Sequence, residues 1–222
     1  MLKNMLLAAA SVSATLAMST AASAVPITID DFSTDTFGPV NLVAPGDSAT
    51  EVPAGTPNAN TTRTLLFERM ANGGNGATPT ADATLNIANG YLSLDNDQGV
   101  VSRLTLSYDI TDLINVGGIT SFSIFGNDNG AFGASTISAT LNGFDLGTRS
   151  LSDGFSGPLT FSFTDAQASP NPDMLTFVIN GSAGYDLTLN GITANVPEPG
   201  AIGLMGLGLL GLGVAARRRK AA

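Results

Sequence analysis

The feature that most constrains the fold is an alternation of apolar and polar residues along the central part of the chain. Apolar residues at every second position of residues 103–110 are Leu104, Leu106, Tyr108 and Ile110. Because successive side chains of a strand point to opposite faces, a period of two is typical of half-buried antiparallel strands. The pattern predicts strands at Leu104–Ile110, Leu159–Phe163, Leu175–Ile179 and Tyr185–Leu189.

Turn signals separate these alternating segments. Asn89-Gly90 and Asn142-Gly143 each stand between two alternating runs and predict tight hairpins, since both residue types tolerate positive φ. About nine or ten strands at this spacing favour an all-β fold, an antiparallel two-sheet sandwich of the jelly-roll type. We expect Pro39–Thr62 and Asn72–Ala83, which lack the alternation, to be long surface loops, and helix to occur only in the terminal segments.

Several residue types that carry chemistry are missing. The chain has no Cys, His or Trp, and its lysines are Lys3 and Lys220. These absences exclude disulfides, ordinary zinc sites, Ser-His-Asp triads and thiol nucleophiles. A carboxylate-dependent glycosidase is the hydrolytic mechanism that stays open, but no pair of carboxylates stands out in the sequence. We therefore predict that the protein is not an enzyme.

The charge of the central part is strongly negative. Residues 25–195 contain four arginines and 17 carboxylates, a net charge of −13. A surface of this sign repels nucleic acid and anionic lipid, and it attracts divalent cations. Nucleic acid is therefore excluded as a partner.

Residues 1–24 have the pattern of a secretory signal peptide, with an expected signal helix. Lys3 supplies the charged start, Met5–Met18 is apolar, and Ala22-Ser23-Ala24 is the small-x-small pattern that signal peptidase accepts. An uncleaved membrane anchor is the alternative. We predict cleavage between Ala24 and Val25.

The C-terminal segment, residues 196–222, combines three features. Pro197-Glu198-Pro199 precedes an apolar run from Gly200 to Ala216, and the run ends at a cationic cluster of Arg217, Arg218, Arg219 and Lys220. As a transmembrane helix this run of 17 residues would span about 26 Å. The cations hold the C-terminus on the cytoplasmic side, so residues 25–195 are placed outside the inner membrane. A plain tail anchor explains the span and the cations, but not the prolines.

This order of features closely resembles the PEP-CTERM sorting domain of Gram-negative exported proteins. The resemblance covers Pro197, Glu198 and Pro199, the Gly-rich span and the Arg cluster. It implies that an exosortase-type membrane enzyme recognises and removes the tail after a transient stay in the inner membrane. It also implies a cell-surface or extracellular-matrix protein that accompanies exopolysaccharide production.

A second resemblance concerns the two ends of the exported domain. Ile29-Asp30-Asp31-Phe32 and Tyr185–Ile192 look like the first and last strands of a carbohydrate-binding-module type of jelly roll, in which these strands pair. Clustered carboxylates suit calcium, so Asp30, Asp31 and Asp186 are candidate ligands of a structural calcium ion. The alternative is that these strand-end aspartates bond nearby amides.

A carbohydrate-binding module of the envelope is the alternative function. Saccharide sites stack sugar rings on exposed aromatic side chains. Tyr108 and Tyr185 fall on the apolar side of their strands, which predicts that they are core residues. Tyr91 is therefore the candidate platform for a polysaccharide.

Overall fold

The structure, a computed structural model, describes residues 24–58, 61–72, 80–115, 119–130, 135–151, 154–164 and 173–197. Residues 26–196 form one compact unit. The expected signal helix, transmembrane helix and cationic cluster lie outside the described residues. Within the described ranges, no helix combines the length and the hydropathy needed to cross a bilayer.

The described residues form thirteen strands and one short helix. The strands are β1 (Ala24–Asp30), β2 (Phe37–Leu42), β3 (Ser48–Gly55), β4 (Thr62–Asn72), β5 (Ala83–Ala88), β6 (Tyr91–Asn96), β7 (Val100–Asp109), β8 (Ser121–Gly130), β9 (Ser135–Leu141), β10 (Phe144–Leu151), β11 (Ser156–Ser162), β12 (Met174–Gly181) and β13 (Asp186–Pro197). The helix is α1 (Thr111–Asn115), between β7 and β8.

The strands make two sheets that pack on each other. The seven-stranded sheet has the order β11-β8-β13-β6-β5-β2, with β1 beside β13, and the six-stranded sheet has the order β10-β9-β12-β7-β4-β3. All registered pairs are antiparallel, and the chain passes between the sheets repeatedly. The predicted all-β sandwich of the jelly-roll type is confirmed.

The alternation predicted the core correctly. Along β7 each residue from Val100 to Asp109 alternates between buried and half-buried, and β12 repeats the pattern beside it. Tyr108 and Tyr185 are fully buried, as expected. The two predicted hairpins join β5 to β6 and β9 to β10, and Asn89, Gly90, Asn142 and Gly143 all have positive φ.

Two expectations from the sequence are wrong. The segment Pro39–Thr62 contains most of β2 and all of β3, which are edge strands with a single neighbour each and a register shift. The register shifts interrupt both strands, so their apolar residues do not recur at every second position. Helix also occurs inside the domain, because α1 follows β7 with Ile110 and Leu113 buried at helical spacing.

Prolines stand in most of the strands that have only one neighbour. Pro26 lies in β1, Pro39 in β2, Pro53 in β3 and Pro158 in β11. The remaining edge strand, β10, carries a register shift between Asp145 and Gly147. Proline has no backbone N–H to donate, so these outer strands present an incomplete set of donors to a further strand.

Candidate functional site at the paired terminal strands

The last strand, β13, has a different neighbour along each part of one edge. Residues Asp186–Leu189 pair with β6 on this edge, while β8 pairs with the opposite edge from Asp186 to Asn195. After Leu189 this edge is no longer paired with β6, and β1 pairs with it there. Beyond Leu189, β13 is therefore covered by β1 on one side and by β8 on the other.

The direction of β1 follows from one close approach. A Cβ added to Gly191 would lie 3.6 Å from the carbonyl oxygen of Asp30, so the end of β1 lies beside Gly191. Since residues 186–189 are already paired on both edges, the rest of β1 can only lie beside residues after Gly191. The two terminal strands thus run antiparallel. Their pairing is what the resemblance predicts.

A buried ion cluster fixes β1 to the opposite sheet. The guanidinium of Arg63, on β4, donates from Nη1 to Asp30 Oδ2 at 2.7 Å. It also donates from Nε and Nη2 to the two carboxylate oxygens of Glu51, at 2.9 and 3.0 Å. Arg63 is 1% exposed, and Asp30 and Glu51 are buried. The cluster joins β1 of the seven-stranded sheet to β3 and β4 of the six-stranded sheet.

Two aromatic residues complete the cluster. The Tyr108 hydroxyl donates to Asp30 Oδ2 at 3.0 Å, and the Phe32 backbone N–H donates to Asp30 Oδ1 at 2.8 Å. The Arg63 Cζ atom lies 5.8 Å from the centre of the Phe32 ring, within the range of a cation–π interaction. Phe32 has φ of 56°, a conformation that is uncommon for a bulky residue and that the bond to Asp30 helps to hold.

The cluster shifts the titration of two of its members. Burial raises the pKa of Tyr108 well above its usual range, and the negative charge of Asp30 adds to this effect. Burial opposes the charged form of Arg63, but the hydrogen bond to Glu51 and the charge of Asp30 together hold the pKa of Arg63 above its ordinary value. The folded state therefore favours a charged Arg63 and a neutral Tyr108.

The three aspartates proposed as calcium ligands have different surroundings. Asp30 accepts from Arg63, Tyr108 and Phe32, whereas Asp31 Oδ1 accepts from the backbone and hydroxyl of Ser33. Asp186 pairs with Asp95 and Gly130 in the sheet. Across the residues that the structure describes, no group of three His, Cys, Asp or Glu side chains is placed to share a metal ion. The calcium site remains a proposal from the sequence.

The sequence contained a signal for the ion cluster that our prediction did not use. Arg63, Leu65, Phe67 and Arg69 occupy alternate positions, so the two arginines share the buried face of β4. A buried arginine requires an acceptor, which predicts a partner such as a carboxylate. Glu51 was missed because β3 had been assigned to a loop.

The other site residues fall at or beyond the ends of the described chain. Ala24 and Val25, at the predicted cleavage position, are the first residues of β1, and Ala22 lies outside the described residues. Pro197 is the last residue of β13, and Glu198 and Pro199 follow it outside the described range. Residues 195–220 match the family described as PEP-CTERM protein-sorting motif. The chain carries a PEP-CTERM sorting motif. This motif marks an exported protein that is sorted by an exosortase.

Comparisons of the whole chain give further findings. No curated protein matches the sequence. A mutant family 29 carbohydrate-binding module complexed with mannohexaose aligns with a TM-score of 0.31 and 14% identity over 59% of this chain and 92% of that chain. A low affinity xylan binding module from Roseburia intestinalis aligns at 0.31 and 17% over 52% of this chain and 85% of that one. The enzymatically active domain of bacteriophage CBA120 tailspike protein 4 aligns at 0.33 and 11% over 62% of this chain and 20% of that one. These overlaps are partial and at low identity.

Exposed aromatic residues lie at the starts of two strands. Tyr91, the first residue of β6, is 51% exposed, and Phe144, the first residue of β10, is 50% exposed. Each follows one of the two Asn-Gly turns. The Tyr91 ring is thus half exposed to solvent.

Proposed function

We propose that this protein is a non-catalytic component of the cell surface or extracellular matrix that works in an exopolysaccharide setting. It is exported by the general secretory route, and signal peptidase removes residues 1–24. Its tail holds the precursor briefly in the inner membrane until an exosortase-type enzyme processes it. The observation that carries the proposal is the match of residues 195–220 to the PEP-CTERM motif.

The placement of the buried carboxylates supports a non-catalytic role. A glycosidase needs two carboxyl groups that flank a bound sugar and are free to exchange protons with it. Asp30 and Glu51 are instead bonded to Arg63, and Asp173 Oδ1 accepts from the Asn142 side-chain amide at 2.7 Å. Each of these buried acids serves the fold.

The sorting role is tested by replacing the motif in the full chain, expressed in its own host. Pro197→Ala, Glu198→Ala and Pro199→Ala together should leave export intact and cause a full-length form to accumulate in the inner membrane. Membrane fractionation and the mass of the mature protein measure both effects. Replacing Arg217, Arg218 and Arg219 with Ser should instead weaken retention, because the cations set the orientation.

A matched control separates the motif from proline content in general. Pro158→Ala changes a strand proline outside the motif and should be processed like the wild type. The sorting proposal fails if the triple Ala variant is also processed and localised like the wild type.

A second candidate function is binding of polysaccharide, favoured by the exposure of Tyr91. On a glycan array, Tyr91→Ala should lose any signal of the wild type, whereas Phe144→Ala, at an equally exposed ring, should keep it. Binding by neither the wild type nor Phe144→Ala would exclude this candidate.

A further inference from the structure

Two hairpin turns of the sandwich are closely matched in sequence and in backbone conformation. Asn89-Gly90 joins β5 to β6, and Asn142-Gly143 joins β9 to β10. The angle φ is 55° at Asn89 and 53° at Asn142, and it is 82° and 81° at the glycines that follow them. The two asparagines therefore differ mainly in what their side chains contact.

The Asn142 side chain is held at both of its polar atoms. Its Nδ2 donates to Asp173 Oδ1 at 2.7 Å, and its Oδ1 accepts from the Met174 backbone N–H at 2.8 Å. Asp173 is itself anchored, because its N–H donates to Thr111 Oγ1 at 2.8 Å and its carbonyl oxygen accepts from the Ile110 N–H at 2.9 Å. The Asn142 amide can therefore rotate only by breaking bonds to a buried carboxylate and to a strand.

The Asn89 side chain has no such restraint. It is exposed, and it makes no hydrogen bond to any residue that the structure describes. Its carboxamide carbon is therefore free to approach the backbone nitrogen of Gly90. Glycine has no Cβ that would hinder this approach. Asn89 thus combines a free amide with an unhindered nucleophile in the next residue.

We propose that Asn89 is a site of spontaneous deamidation in the folded protein. The bonds to Asp173 and Met174 protect Asn142 from the same reaction. Asparagine is one of the thermolabile residue types. The Gly90 nitrogen gives its proton to solvent base and forms a C–N bond to the side-chain carbonyl carbon of Asn89. The bond from that carbon to Nδ2 breaks, and ammonia leaves with a proton from solvent.

The cyclic succinimide that remains is opened by water. The hydroxyl of the water adds to one of the two ring carbonyl carbons, and its proton goes to the ring nitrogen as the C–N bond breaks. Opening at the side-chain carbon gives isoaspartate's normal isomer, aspartate, and opening at the main-chain carbon gives isoaspartate. Because the ammonia is lost to solvent, the change accumulates with the age of each molecule.

The product alters the surface beside an exposed aromatic ring. Deamidation of Asn89 adds a negative charge two residues before Tyr91, which is 51% exposed. Isoaspartate also adds a methylene group to the main chain, inside a turn that accommodates two residues. The site goes beyond the proposed function and does not depend on it.

The test follows the uptake of heavy oxygen from labelled water by the protein isolated from its own host. The folded protein is incubated at mildly alkaline pH, where tyrosine is still neutral. Each ring opening adds one labelled oxygen, which fragment mass spectrometry assigns to a residue. We expect Asn89 to be labelled at least about tenfold faster than Asn142, whose amide must first leave its two partners. Equal rates would overturn the inference, as would an unlabelled Asn89 when a peptide of residues 87–92 is labelled.

Two variants at Asp173 test the cause of the protection. Asp173→Ala removes the acceptor and should speed the labelling of Asn142 at least about fivefold, with Asn89 unchanged. Asp173→Asn keeps an acceptor oxygen and should label Asn142 as slowly as the wild type. Melting curves establish that each variant is folded, and a folded Asp173→Ala with a slow Asn142 contradicts the inference. If Asp173→Ala does not fold, the comparison of the two turns within the wild type decides.

A variant of the turn itself serves as the matched control. Asn89→Gln keeps the amide on a longer side chain, which would have to close a larger ring, and its position is exposed. The label at residue 89 should be lost, and the slow labelling of Asn142 should be unchanged. Labelling of Asn89→Gln at the wild-type rate would overturn the proposed attack by the Gly90 nitrogen.

Discussion

Arg63 and Arg69 stand on the same face of β4, and both are almost fully buried, at 1% and 3% exposure. They meet different kinds of acceptor. Arg63 bonds the carboxylates of Asp30 and Glu51, and it makes both salt bridges found among the described residues. Arg69 Nη1 donates to the backbone carbonyl oxygens of Leu42 and Ala81, at 3.2 and 2.6 Å.

The two arginines differ in the kind of buried acceptor that their removal would leave without a donor. Both reach across to the seven-stranded sheet, Arg63 to β1 and Arg69 to the end of β2 and the residues before β5. Carboxylates that lose their cation are left buried without a partner of opposite charge, whereas carbonyl groups lose only a hydrogen bond. The same residue type can therefore hold two sheets together with very different sensitivity to substitution.

The largest effect is expected for Arg63→Met. The variant leaves Asp30 and Glu51 buried without a cation, so the free energy of unfolding should fall by about 3–5 kcal/mol. Urea denaturation measures this loss. Arg103→Met, on the half-buried outer side of β7, should cost about 1 kcal/mol or less. Adding Asp30→Asn and Glu51→Gln to Arg63→Met should recover part of the loss, and a further loss would contradict the charge argument.

A smaller effect is expected for Arg69→Met. Methionine keeps the apolar stem but leaves the Leu42 and Ala81 carbonyl oxygens without this donor, which should cost about 1–3 kcal/mol. The same denaturation series compares it directly with Arg63→Met. A loss in the free energy of unfolding as large as that of Arg63→Met would contradict the expected difference between Arg63 and Arg69.

Alkaline pH should destabilise the folded protein through Tyr108, which belongs to the ion cluster around Arg63. The pKa of Tyr108 is raised in the folded state, whereas in the unfolded chain tyrosine loses its proton near pH 10. Above about pH 10 the folded state therefore binds more protons than the unfolded state, and stability falls as pH rises. Denaturation between pH 8 and 11 should show this slope, reduced in Tyr108→Phe and kept in Arg69→Met. An equal slope in Tyr108→Phe would exclude Tyr108 as its source.

The smallest effect is expected for calcium. The oxygens of Asp30 already accept from Arg63, Tyr108 and Phe32, so we expect the melting temperature to be the same in chelator and in millimolar calcium. A site formed by Asp30, Asp31 and Asp186 would instead stabilise the protein by about 2.7 kcal/mol at 100-fold excess over its dissociation constant. A clear upward shift of the melting temperature in calcium would establish the calcium site and would contradict the ion cluster as the setting of Asp30.

The sequence predicted the strands whose apolar residues recur at every second position, including the edge strand β11. β7 and β12 bury one face and leave the other half exposed, which produces the alternation that we used. β2 and β3 were missed because register shifts interrupt their alternation. The one-turn helix α1 was missed because five residues are too short for a helical period to stand out.

The candidate site was predicted in part. The pairing of the first and last strands followed from a resemblance. Asp30 was selected as a candidate calcium ligand, and the structure places it in the ion cluster with Arg63 and Tyr108. Arg63 and Glu51 were not selected, because they are far from Asp30 in the sequence and because strand register decides which side chains face inward. Whether a charged residue on an alternating strand is exposed or buried can be decided only once the register of that strand is known.

The prolines in the outer strands matter when many copies are delivered to one surface. At high density, sheets with complete edges join side by side and grow into fibres. Pro39, Pro53 and Pro158 remove donors from three of the four strands at the ends of the sheets, and a register shift interrupts the fourth, β10. Crowded copies should therefore remain separate particles and not join edge to edge.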